Sequence, residues 1–104
     1  MRVEVVRSAT FDRWLTKPKD RRAAARVLVR LTRLAAGNPG DVRPVGAGVS
    51  EIRIDYGPGH RVYYLQEGQQ LILLLCSGDK STQADDIKTA HRIAEQWRKQ
   101  GADT

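Results

Sequence analysis

Arg53, Arg61 and Lys80 are the residues of this chain whose types could act together on a phosphodiester. Cleavage of RNA by attack of a ribose 2′-hydroxyl on the adjacent phosphorus needs a base near that hydroxyl, cations for the equatorial oxygens and an acid for the leaving 5′-oxygen. Two guanidinium groups suit the phosphate charge. Lys80 suits proton transfer, because an ammonium crowded by arginines gives up its proton more readily. Tyr56, Tyr63 and His60 offer rings to stack on a base or a proton to lend, and Asp79 either acts as base or orients Lys80. Charged sheet faces are common, so spacing alone does not single out this chemistry.

The stretch from Ser50 to Gln83 holds all of these residues and three successive strand patterns. Glu51 to Tyr56 alternates, with Ile52, Ile54 and Tyr56 on one side and Glu51, Arg53 and Asp55 on the other, the period-2 pattern of a half-buried strand. Gly57-Pro58-Gly59 turns the chain, and His60 to Gln66 alternates again. Matching the apolar faces predicts Ile54 opposite Val62 and Ile52 opposite Tyr64; slipping by one residue would set an arginine against an isoleucine in the core. The other face then carries Asp55 opposite Arg61 and Arg53 opposite Tyr63, with Glu51 and Leu65 behind them, a charged and aromatic platform on an open sheet surface.

Leu71 to Cys76 is apolar without alternation and too short for a membrane span, which predicts a central strand covered on both faces. Glu67-Gly68 fits a two-residue hairpin, and Gln69 and Gln70 fit the loop equally well. The strand ends in Ser77-Gly78-Asp79-Lys80, leaving Asp79 and Lys80 beside the platform.

Elements before and after this stretch support it. Val3 to Val6 reads as a short strand, and Thr10 as the N-cap of a short helix through Phe11, Trp14 and Leu15 that Pro18 ends. Those three apolar residues read as core. Asp20 caps a second helix to about Ala36, with Ala24, Val27, Leu28, Leu31, Leu34 and Ala35 as its buried stripe. Arg22, Arg26, Arg30 and Arg33 recur on its opposite side as a basic ridge with few acidic partners. The ridge is either a solvated face or a docking surface for RNA phosphates or an acidic protein segment. Gly37-Asn38-Pro39-Gly40 stops the helix, and Asp41 to Val49 reads as an irregular edge strand. A last helix starts near Ser81 or Thr82, where Thr82 with Asp85 resembles a capping box, and buries Ile87, Ala90, Ala94 and Trp97. His91 beside that stripe reads as a packed or surface histidine, and the tail Gly101 to Thr104 as frayed.

At 104 residues the chain is expected to form one domain over 1–104, an α+β sandwich with a mostly antiparallel sheet of four to five strands flanked by two N-terminal helices and a C-terminal helix. Arginine supplies 13 of the 18 basic residues, the net charge is +6 and the pI is about 10.0. That bias favours nucleic acid or an acidic protein as partner, the bland alternative being solubilising charge. A single cysteine excludes an internal disulfide framework and points to the cytoplasm, with Cys76 a small buried residue. Neither a signal peptide nor a membrane helix is expected. Two histidines far apart and one cysteine give no recognisable metal site, and no cofactor is expected.

Met1 to about Lys99 resembles the RelE/ParE superfamily of toxin-antitoxin toxins, in the HigB-like branch of phage-derived addiction-module killer proteins. The strings that carry the resemblance are GDVRPVGAGVSEIRIDYGPGHRVYYLQEG at 40–68 and LLLCSGDKSTQADDIKTA at 73–90, with FDRWL upstream. Membership implies a compact RelE-like sheet flanked by helices, metal-independent cleavage of mRNA on the translating ribosome, growth arrest, and neutralisation by a helix-turn-helix antitoxin with which the toxin binds operator DNA. It marks Arg53 in SEIR, Arg61 in GHRVYY and Lys80 in GDK as the active group. Many relatives carry Tyr at the position of His60, and the C-terminal Tyr or His of better-studied RelE-type enzymes has no clear counterpart here, which leaves the general base open. Two other readings compete: a non-enzymatic inhibitor of DNA gyrase like the ParE branch, which would not require that grouping, and an inactive relative that binds only its antitoxin and DNA.

Overall fold

The computed structural model describes residues 3–17 and 20–100. In chain order it runs β1 (Glu4–Arg7), α1 (Ala9–Thr16), α2 (Arg21–Ala35), β2 (Val42–Pro44), β3 (Val49–Ile54), β4 (His60–Glu67), β5 (Leu71–Gly78), a single 3-10 turn (Lys80–Thr82) and α3 (Gln83–Gln100). The five strands form one mixed sheet in the order β1-β5-β4-β3-β2, antiparallel except where β1 lies parallel to β5. The α+β class and five-stranded sheet agree with the sequence reading.

The non-alternating apolar strand is β5, and Ile72 through Cys76 are buried because helices cover both faces of the sheet. On one side Phe11 of α1 and Val27, Leu31 and Leu34 of α2 pack on Ile52, Ile54, Val62, Tyr64, Ile72 and Leu74. On the other, Ala90 and Ala94 of α3 let that helix lie close over Val49, Tyr63, Leu65, Leu73, Leu75 and Cys76, flanked by Ile87 and Trp97. Leu28, expected in the buried stripe of α2, is 48% exposed, while Ala23 takes its place inside.

Helix ends are set by side chains beside the sheet. Asp20 caps α2 as expected, accepting from the amides of Arg22 and Ala23. Gly37, at φ 87, closes that helix: its amide reaches Leu34 O and that of Asn38 reaches Arg33 O, the two bonds of a Schellman end. Ser8, not Thr10, caps α1. Its amide extends the β1–β5 ladder to Leu74 O, its hydroxyl donates to Leu75 O at 2.6 Å, and Phe11 N donates to that hydroxyl at 3.0 Å. Likewise Asp79, not Thr82, caps the 3-10 turn through Ser81 N at 2.8 Å, while Thr82 Oγ1 donates to Asp86 rather than pairing with Asp85. The expected breaker Pro18 and the tail 101–104 lie outside the described residues.

The β3–β4 register differs from the expected one by two residues: Ile52 faces Val62, Arg53 faces Arg61 and Ile54 faces His60. A two-residue slip keeps every side chain on its face, so apolar matching could not detect it. The connection decides it, with Tyr56 N on Ile54 O, Gly59 N on Tyr56 O, and Gly57 and Gly59 both at positive φ. On the other side of β4, Glu67 pairs with Leu71, so Gln69 and Gln70 belong to the hairpin loop.

The burial pattern of α2 sets a direct test by urea unfolding. Leu34→Ala should lose about 2–5 kcal/mol, and Leu28→Ala should stay within about 0.5 kcal/mol of the parent. The reverse order would mean that α2 docks through a different face.

Candidate functional site: an arginine cleft above a buried carboxyl

Two cross-strand rows build the site. The inner row runs Arg43, Glu51, Tyr63 and Cys76 across β2, β3, β4 and β5. The next, toward the β3–β4 turn, runs Arg53, Arg61 and Gly78. Neighbouring strands lie about 4.8 Å apart, so each row brings its side chains into mutual reach.

Glu51 is completely buried, the one charged residue so placed among those described. A lone buried carboxylate is costly unless its oxygens are satisfied. Oε2 of Glu51 accepts from Tyr63 OH and from Gln83 Nε2 of α3, both at 2.9 Å, and Oε1 accepts from Arg43 Nε at 3.2 Å. Arg61 Nε stands 3.7 Å from Oε2, an ion pair too long for a hydrogen bond. Burial, and then the bond to Glu51, push the Tyr63 hydroxyl well above the ordinary tyrosine range, so it serves as a donor. Tyr63 therefore cannot stack on a base, and the expected open platform is covered here by α3. Nothing in the alternating pattern marked Glu51 as interior, since period 2 places it with Arg53 and Asp55; only its facing helix distinguishes it.

The second row is where the surface opens. Arg53, Arg61 and His60 line a cleft of about 300 Å³ with Asp41, Asp55 and Gly59. Arg61 is only 11% exposed, with Nη1 on Gly59 O at 2.8 Å, whereas Arg53 is half-exposed and stands 3.6 Å from Asp41. Arg61 is thus not the freely exposed platform arginine that the sequence suggested. Like charges directly opposite each other destabilise a sheet, and an anion between them reverses the sign. Such a cleft can hold a phosphate by charge-assisted hydrogen bonds.

Around the turn, Tyr56 lies 6.0 Å from the His60 ring and has the Arg26 guanidinium 4.8 Å over its own face. A second groove, lined by Arg26, Arg30, Arg33, Val29, Ile54 and Asp55, meets the arginine cleft at Ile54 and Asp55. The ridge is not uniform. Arg22, Arg26 and Arg33 are exposed, but Arg30 ties α2 to the sheet by donating to Arg53 O at 2.8 Å and Pro39 O at 2.9 Å.

Asp79 and Lys80 follow Gly78, the register partner of Arg61. Asp79 is spent on its cap: hydrogen bonds from Ser81 hold its carboxyl below the usual value. Lys80 is exposed on the 3-10 turn and does not line the arginine cleft, so the structure brings together Arg53, Arg61 and His60 but leaves Lys80 outside that cleft. Gly78 has an ordinary backbone angle, yet any Cβ there would collide with the Asp86 carboxyl and Thr82, which close over it. Cys76, buried below, donates to Asp86 O at 3.3 Å; burial first and the Asp86 charge second push its thiol up to about 12. Partial burial likewise moves the Asp86 carboxyl upward, against the hydrogen bond from Thr82 and with the help of Asp79 and Asp85. Among the described residues, no group of three or more His, Cys, Asp or Glu side chains is placed to hold a metal ion. No helix among them is long and apolar enough to cross a membrane.

No family model matches this chain. It is 46% identical over 96 residues to a protein of Haemophilus influenzae described as uncharacterized, an alignment spanning 92% of this chain and 97% of that one. The chain belongs to the same family as that protein.

The buried row makes a quantitative demand. Glu51→Ala strands the Tyr63 hydroxyl and the Gln83 amide and removes the anion beside the nearly buried Arg61, and should cost about 3–5 kcal/mol. Tyr63→Phe removes one donor and should cost about 1–2 kcal/mol. The double variant should fall well short of the sum, so additive losses in urea titration would break the coupling. Asp86 yields a pH test. A carboxyl raised in the folded state contributes most below its ordinary value of about 3.9, and that contribution is lost as pH rises through the folded value. The stability advantage of wild type over Asp86→Asn should therefore be largest near pH 3.5 and shrink toward pH 6; a constant gap would refute it.

Proposed function

We propose that this chain is the toxin of a type II toxin-antitoxin module, a HigB-like member of the RelE/ParE superfamily that cleaves mRNA on the translating ribosome. The observation that carries the reading is the Arg53–Arg61 pair. Two guanidinium groups on directly facing positions line one cleft, and that cleft runs into the groove of Arg26, Arg30 and Arg33. Sequence-independent holding of a nucleic-acid backbone needs clustered cations of this kind, and stabilisation of a pentacoordinate phosphorus needs cations fixed before the reaction. Arg61 is fixed by Glu51 and by Gly59 O, which supplies that preorganisation. Lys80, exposed on the turn that follows β5, would approach the substrate from that side.

A small helix-turn-helix antitoxin would be the neutralising partner, and the pair would engage operator DNA mainly through it. The exposed side of α2 suits an acidic or apolar segment of that partner, because Leu28 and Val29 are about half-exposed among the arginines.

Primer extension on a reporter mRNA, free and on translating ribosomes, tests the reading. Wild type should cleave only on ribosomes, and Arg53→Ala and Lys80→Ala should each lose about 10²–10³ in rate with unchanged thermal unfolding. Arg61→Lys is a better probe than alanine at that position, since it leaves a cation near the buried Glu51. Growth arrest by a folded wild type without cleavage would turn the reading to a gyrase-type inhibitor.

A further inference from the structure

His60 belongs to two cavities at once. It lines the arginine cleft with Arg53 and Arg61, and it also lines a groove of about 530 Å³ on the β5 side with Asp20, Asp79, Asp86 and Trp14. The strand register fixes its place: it pairs with Ile54 at the first residue of β4 and precedes Arg61, which is anchored at Glu51 and Gly59 O. Nδ1 is buried with no hydrogen-bond partner, and the other buried side-chain nitrogen in that condition among the described residues is Nε of the neighbouring Arg61. Buried polar atoms are nearly always paired, so two orphans on adjacent residues at a cleft require an explanation. The contrast with His91 is instructive: that ring sets Nε2 at 2.9 Å from Val45 O and serves to hold the β2–β3 turn on α3. No such structural bond occupies Nδ1 of His60.

Both cavities carry mixed charge around the ring: Arg53 and Arg61 stand with Asp41 and Asp55 in the cleft, and Asp20, Asp79 and Asp86 stand with Lys17 in the groove. A phosphate seated between Arg53 and Arg61 occupies the cleft that the His60 ring also lines. With Nδ1 inside, Nε2 is the nitrogen left to meet a ligand.

We infer that His60 is the general acid of the cleft, delivering the Nε2 proton to the leaving 5′-oxygen of an RNA phosphodiester held by Arg53 and Arg61. This rests on the ribonuclease reading given above. In the step, the 2′-oxygen bonds to phosphorus as its proton passes to water, the P–O5′ bond breaks, and O5′ takes the proton from His60. The products are a 2′,3′-cyclic phosphate and a 5′-hydroxyl, with His60 left neutral. Lys80 then acts on the phosphate charge and not as the acid.

A leaving group that needs no proton separates this role from any structural one. The probe is an mRNA, programmed on ribosomes, whose cleaved linkage carries either the natural 5′-oxygen or a 5′-bridging sulfur. His60→Ala should cleave the oxygen substrate about 10²–10⁴-fold more slowly than wild type and the sulfur substrate at close to the wild-type rate. Equal loss on both substrates, or no loss on the oxygen substrate, overturns the assignment while leaving the ribonuclease reading in place. Failure of wild type to cleave either substrate overturns that reading and the assignment with it. His60→Gln carries the same comparison should the alanine variant unfold.

Discussion

A carboxyl with no solvent contact, that of Glu51, is the constraint around which the described residues are arranged. Its oxygens draw one donor from each neighbouring strand and one from α3: Arg43, Tyr63 and Gln83. Burying a charge is unfavourable by itself, so the group ties strand register and helix placement to a single geometry in which all of its partners are present. A different β3–β4 register would move Tyr63 away from Glu51, and a shift of α3 would remove Gln83. The same carboxyl connects to the surface through the half-exposed Arg43 and, one row further along, to the wall of the cleft through Arg61.

The far end of β5 shows how backbone irregularity serves the same arrangement. A bulge between the Tyr63 and Tyr64 pairings leaves Leu75 without a partner, and both Leu75 and Cys76 face α3 as a result. Parity along the strand is thereby reset, and Gly78 falls beside Arg61 under the start of α3. Its missing side chain is what lets Asp86 and Thr82 close over the strand end. The cationic cleft and the carboxyl-lined groove are therefore separated by little more than His60.

The basic surface divides into two kinds of arginine. Arg30 and Arg61 spend hydrogen bonds on backbone carbonyls and fix the frame, and Arg43 is committed to Glu51. Arg22, Arg33 and Arg53 remain exposed, and Arg26 leans on Tyr56. Exposed ion pairs such as Arg53 with Asp41 contribute little stability, so the positive surface is better understood through what it attracts than through what it stabilises.

Periodicity in the sequence determined which segments are strands and helices, that β5 is interior, and that Arg53 and Arg61 share a sheet face, because those properties depend on side-chain alternation along one strand. Asp20 and Gly37 were legible as helix ends, because capping is local. What faces each side of the sheet is not local. The covering of Glu51 and Tyr63 by α3, the exposure of Leu28, and the capture of Arg30 by two carbonyls all depend on which element arrives opposite, and a period of two or of 3.6 carries no such information. The register of β3 against β4 and the bulge in β5 were hidden for a related reason. A two-residue slip preserves every face, and an unalternating LILLLC run has no phase for a bulge to interrupt. Tertiary structure alone decided that His60, Arg53 and Arg61 would line one cleft and that Lys80 would stand outside it.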